Sequence, residues 1–352
     1  MLYRKENSLR INNSLLTESA QKMVWLVEER GIAGCPWKKE LDAIALWIRR
    51  YVKQEFLNGN FNTISFNVPE NLTKPINMFN SLVIHGTSHL GTKFESGSGF
   101  FQYEKPQSVN KEIDAKTINS TKCQIGIECY HDLTGKVFLH SILMSLYHEF
   151  NHMYEAFMDA YNNYNVNRFR QSSDKTKIKL PNNNFINKLI YRLYSETEKN
   201  ALVNNLYGEL KGNNISRNEF NEYLPQTSSY GLYRYFYNSY ASVIDRLSPQ
   251  DCKLLLDYFN QYKISLNINN VNSTTAFKNA FKHKTALLLQ DLIKRFGKAA
   301  SLWFDEKEEN ERNNNESSII STGWEPNGLG DGCFLTFDGQ DKNRIFEVML
   351  DL

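Results

Sequence analysis

Two histidines, His148 and His152, stand four residues apart with Glu149 directly after the first, in the stretch LYHEFNHMYEAF (146–157). On an α-helix that spacing brings the second imidazole back to about 40° from the first and roughly 6 Å further along the same face, so both rings can reach one ion. Zinc is bound by neutral imidazoles, and a carboxylate beside such a site can accept a proton from water that the metal has acidified. A chance H-E-x-x-H match is expected on the order of 0.01 times in a chain of this composition. The plainer alternative is a solvated helix face whose two histidines share a stripe.

The flanking residues favour burial. Leu139, Ile142, Leu143, Leu146, Phe150, Met153 and Phe157 fall on the side opposite the histidines, whereas the histidine side carries the small residues Ser141 and Ser145. A largely buried helix with one polar seam must satisfy that seam, because an unpaired imidazole or carboxylate away from water costs several kcal/mol. Metal coordination would do so.

A zinc ion that activates water needs a third protein ligand and an open fourth position. His140 lies on the same helix at an unsuitable angle, His283 is remote in sequence, and position 158 is Met, so no third histidine follows at short range. A carboxylate from LIYRLYSETEKNALVNNLY (189–207) is the remaining route, through Glu196 or Glu198. Helical periodicity slightly favours Glu196, and Ser195 to Glu198 also reads as a capping box, S-x-x-E. Two other pairings are weaker. Glu149–His152 and Glu128–His131 are both E-x-x-H units of the kind used by di-iron helical bundles, but Glu128 sits in an alternating, glycine-containing strand pattern. His85 and His89 are separated by Gly-Thr-Ser, which does not favour a helix and reads as loop.

These residues need elements to hold them. The chain reads as helical to about residue 57, then as short alternating runs between Phe61 and Tyr130, then as mostly helical from 135 to 304, with Ser248 as an N-cap and Pro249 at a first helical position. The fold class expected is α+β: predominantly helical, with a small mixed or antiparallel sheet before the histidine helix. DEKEENERNNNESS (305–318) has no apolar residue and reads as an exposed linker, and 319–352 as a small segment with a hairpin.

At 352 residues the chain can bury a sizeable core. Lys plus Arg total 41 against 39 Asp plus Glu, a near balance that gives no basic surface for nucleic acid. No stretch has the roughly 18 apolar residues of a membrane span and none resembles a signal peptide, so a soluble cytoplasmic protein is expected. Five scattered cysteines read as buried free thiols.

The motif and the downstream acid together resemble the gluzincin class of zinc metallopeptidases, in which HExxH on one helix is completed by a glutamate on a later one. Glu198-Lys199-Asn200-Ala201 matches four places of the E-x-x-A-[DN] pattern of many such families, and Leu202 departs from it at the fifth. The resemblance covers about residues 115–210 and implies a zincin-like domain, taken here as 1–304. It implies zinc held by His148, His152 and Glu198, with Glu196 as the competing third ligand, Glu149 as general base, and a protein or peptide substrate. It further implies that an edge strand, placed at 120–130, pairs with extended substrate. A second electrophile would come from Tyr233, Tyr235, Tyr237 or His283. The Asn-rich chain is also similar to phage or gut-bacterial zincin-like proteins, which would make a virion location the alternative to the cytoplasm. A non-enzymatic virion or interaction protein that keeps the fold is the competing reading.

Overall fold

A computed structural model describes residues 37–93, 95–104, 120–161, 180–181, 183–262, 264–266 and 273–321. The helical reading before 37, the hairpin expected beyond 321, Cys35 and Cys333 lie outside the described residues. Contacts divide the chain into two compact units, one from residues before 178 together with Glu196–Asn213, the other from 178–195 and the residues after 213. The domain expected over 1–304 draws on both.

In the first unit, helix α1 (Lys38–Leu57) buries Leu41, Ile44, Ala45, Ile48 and Val52, an apolar stripe at helical spacing. Four strands follow: β1 (Thr63–Asn67), β2 (Ser81–Leu90), β3 (Ser98–Glu104) and β4 (Lys122–His131). Their order across the sheet is β1-β2-β4-β3. β2 and β4 are parallel, and β1 and β3 pair antiparallel at the two edges, so the sheet is mixed. Period-two burial of Ile64 and Phe66, Leu82 and Ile84, and Cys123, Ile125, Ile127 and Cys129 gives the sheet one covered face.

The strand expected to lie open at 120–130 is therefore interior. β4 is hydrogen-bonded on both sides, and the edge beside it is β3, a segment whose Gly and Ser content hid it from a reading by strand propensity. His85 and His89 also belong to a strand, β2, and not to a loop.

Helix α2 (Leu139–Tyr161) packs on β3 and β4. It buries Ile142, Leu143, Leu146, Phe150, Met153 and Phe157, and also Ser141, Ser145, Glu149 and His152, so it is enclosed almost all round. Helix α4 (Glu196–Gly212) lies along α2 in the same unit. Gly208 and Gly212 permit close approach: a Cβ on Gly208 would stand 2.7 Å from the Met144 nitrogen, and one on Gly212 2.2 Å from the His140 Cα.

The second unit contains α3 (Asn184–Tyr194), α5 (Ser228–Asp245), α6 (Pro249–Gln261) and α7 (Thr274–Ser321). The expected start of α6 is present, with Ser248 and Asp251 forming a capping box and Pro249 inside the first turn. Phe236, Phe259, Phe277, Phe281 and Phe296 are fully buried and build an aromatic core. Helix α7 continues through 305–318, correcting the linker reading. Arg217 pairs with Asp305 at 3.3 Å and with Glu308 at 3.0 Å, and the Lys307 ammonium donates to the Asn214 carbonyl, so polar contacts anchor residues 305–308, the start of this stretch. No helix among the described residues is long and apolar enough to cross a membrane. Cys123, Cys129 and Cys252 are buried free thiols, as expected.

Candidate metal centre

His148 and His152 project from successive turns of α2 toward α4. Their Nε2 atoms are 3.1 Å apart, and His152 Nε2 is 3.5 Å from Glu198 Oε1. One ligand atom from each of the three residues lies within 4.8 Å of the others. The side chains are 13 %, 11 % and 7 % exposed, so a group bound among them is sheltered from water. Atoms held at about 2.1 Å from a tetrahedral ion stand roughly 3.4 Å from one another, close to the two separations seen. Two imidazoles and one carboxylate suit zinc or a similar borderline transition metal better than calcium or magnesium, which prefer all-oxygen sites. The charge also fits, because a divalent cation offsets two buried carboxylates, Glu198 and Glu149.

Burial decides between the two candidate acids in the first turn of α4. Glu198 faces the histidines, whereas the Glu196 side chain is 50 % exposed and pairs with the Lys199 ammonium at 2.8 Å. Glu196 occupies the first position of α4 and turns outward, which correction removes the slight preference that angular spacing gave it.

Glu149 Oε1 is 4.0 Å from His148 Nε2, beside the cluster without being part of it. Its other neighbour is β3. A Cβ added to Gly99 would fall 2.7 Å from Glu149 Cγ, and one added to Gly97 would fall 2.3 Å from the Ser145 hydroxyl and 2.4 Å from the Ser141 carbonyl. Small residues on strand and helix thus face each other, which lets the edge strand lie directly against the polar seam. A hollow of about 560 Å³ lies along the other face of the sheet, lined in part by Ser65, His85, Thr87, Phe100 and Glu128, which alternate with the covered residues.

A row of amides accompanies the cluster between α2 and α4. Asn205 Oδ1 is 3.0 Å from His148 Nδ1, Asn204 donates to Asn151 at 2.9 Å, and Asn200 donates to Glu155 at 2.7 Å. The residue numbers rise along one helix as they fall along the other, so the pairs fix an antiparallel register. Sequence reading missed Asn205, Gly97 and Gly99. Asn205 carried a signal, being seven residues and so two turns beyond Glu198 on one face.

Within the same unit, Glu128, His131, His85, His89 and His140 stand outside the group of His148, His152 and Glu198. Tyr233, Tyr235, Tyr237 and His283 belong to the second unit. Tyr233 is buried and stacked between Tyr230 and Tyr237; burial, followed by the neighbouring tyrosines, raises its pKa to about 12. Tyr235, Tyr237 and His283 are exposed. Glu128 and His131 take opposite faces of β4, with Glu128 accepting from the Ser98 hydroxyl at 2.5 Å and His131 buried between the Ser88 hydroxyl and the Phe61 carbonyl. They cannot supply the second half of a di-iron site, because a strand turns residues three apart to opposite sides. His89 meets the hydroxyls of Thr63 and Thr87. His140 is buried beneath the seam, and that burial lowers its pKa. No family model matches this chain, and no curated protein or solved structure matches it either.

Proposed function

We propose that this protein is a zinc-dependent peptidase of the gluzincin kind, with His148, His152 and Glu198 as the residues that would hold the ion. The observation that carries this reading is the pair of separations, 3.1 and 3.5 Å, at the edge length of a tetrahedral ligand set with a carboxylate beside it that is not itself in the set. A bound zinc ion supplies Lewis acidity, polarising a scissile carbonyl and lowering the pKa of water.

The remaining work belongs to side chains and backbone. Glu149 accepts the proton of the attacking water and passes it to the leaving amine; positioned acid–base catalysis of this type contributes about 10²–10⁴-fold. That Glu149 lies against Gly99 supports a proton transfer close to β3. The outer edge of β3 has no strand partner among the described residues, and it offers main-chain donors and acceptors to an extended peptide. β3 therefore takes the substrate-pairing role first assigned to 120–130.

The test is metal content together with cleavage of an unfolded protein such as casein. Purified protein should hold one zinc per chain, and Glu149→Gln should keep the zinc and lose cleavage by about 10²–10⁴-fold. Equal cleavage by the two forms, or a wild-type protein that binds no zinc, sinks the reading. Stoichiometric zinc without cleavage by the wild type would favour a structural metal protein.

A further inference from the structure

A ligand histidine does its work only when the correct nitrogen carries the lone pair, and for His148 a neighbouring amide sets this. The side-chain oxygen of Asn205 is an acceptor only, so the ring nitrogen 3.0 Å from it, Nδ1, must be the donor. A neutral imidazole protonated at Nδ1 bares its lone pair at Nε2, the atom that lies 3.1 Å from His152 Nε2 and faces the cluster. One turn earlier on α4 the buried side chain is Leu202, which has no polar atom to offer.

We infer that Asn205 is the positioning residue for His148, fixing its tautomer and ring angle so that Nε2 is aimed at the metal; the inference rests on the zinc reading above. One helix then contributes two functions on one face, a ligand at Glu198 and an orienting amide at Asn205. Two further polar pairs cross between the same helices, Asn204 donating to Asn151 and Asn200 to Glu155. This separates orientation from mere packing. Loss of Asn200 loosens the same helix pair without changing what His148 Nδ1 meets.

The experiment compares Asn205→Leu, Asn205→Asp and Asn200→Leu in the full chain. Zinc affinity is read by competition with a chromogenic chelator, and the His148 tautomer by nitrogen NMR of the metal-free protein. Removing a hydrogen bond behind a metal ligand typically weakens binding about 10–100-fold, and that loss is expected for Asn205→Leu together with a shift of the His148 proton toward Nε2. Asn205→Asp, which accepts the same hydrogen bond, should restore the wild-type tautomer and hold zinc within about threefold, and Asn200→Leu should change neither readout. Asn205→Leu with unchanged affinity and tautomer would overturn the assignment, as would an equal loss in Asn200→Leu. Wild-type protein that takes up no zinc sinks the peptidase reading and this role with it, whereas normal uptake by Asn205→Leu sinks this role alone.

Discussion

Between α2 and α4 the buried side chains include Glu149, His152, Glu198, Lys199 and Asn204, whereas the helices of the second unit bury Phe236, Phe259, Phe277, Phe281 and Phe296. The aromatic interior is what folding energetics alone would select. Its rings pack edge-on, tilted or stacked, as in Phe259 against Phe281 at 5.4 Å and 75° and against Tyr194 at 17°, and each removes a large apolar area from water. The polar seam is an expensive choice for the same purpose, because each satisfied buried hydrogen bond returns only about 0.5–1.5 kcal/mol net. These helices also bury Leu202, Leu206 and Tyr207 between them, so a stripe of imidazoles, acids and amides where leucines could have continued is shaped by something besides stability. In this chain the departure falls on the residues that could hold an ion.

The comparison breaks first if the aromatic unit is not the part held by packing. Phe281→Ala should cost about 3–5 kcal/mol, read by chemical denaturation of the second unit, since Phe281 is fully buried against Tyr194, Phe259 and Phe277. Zinc uptake should be unchanged. A loss under about 1 kcal/mol would mean that the site collapses without a cavity and that the contrast is overstated.

Stability in the first unit should instead depend on metal. Zinc at about 100 times its dissociation constant should stabilise that unit by about 2.7 kcal/mol, and a chelator should remove the gain. Glu198→Leu should abolish the zinc response while leaving the metal-free protein as stable as wild type or more so, because replacing a buried acid that is held for its chemistry relieves a desolvation cost. Thermal unfolding with and without zinc measures both. A metal-free Glu198→Leu protein that is several kcal/mol less stable would show that the acid serves the fold.

The histidine pair and its helix were legible because a single period determines which residues share a face, and Glu198 was legible as one of two acids. Choosing between Glu196 and Glu198 required knowing how α4 is rotated against α2, since both acids stand in its first turn, two residues and so about 200° apart, and which of them meets the histidines is a tertiary fact. Asn205 was hidden for a related reason: an asparagine becomes an orienting group only once the register of two helices is fixed. β3 was lost because the Ser-Gly start of SGFFQYE reads as a turn and the aromatic pair Phe100-Phe101 breaks the alternation, although Phe and Tyr favour strands; pairing with β4, distant in sequence, orders it. The polar end of α7 was misread because an absence of apolar residues signals only an absence of core.

Gly99 offers the smallest expected effect and the most local one. Its missing side chain is what allows β3 to lie against Glu149, and an added Cβ would meet Glu149 Cγ at 2.7 Å and the Gly126 carbonyl at 2.9 Å. Gly99→Ala should therefore cost only about 1–2 kcal/mol, since a single methyl at the sheet edge is accommodated by a small strand shift. The same shift must move either the strand or the carboxylate, so cleavage should fall by more than the stability change explains, while zinc content stays at one per chain. Measuring kcat/KM and bound zinc on one preparation separates the two effects. Full activity in Gly99→Ala would mean that Glu149 does not work from the rotamer that touches β3, and that the carboxylate reaches its proton from another direction.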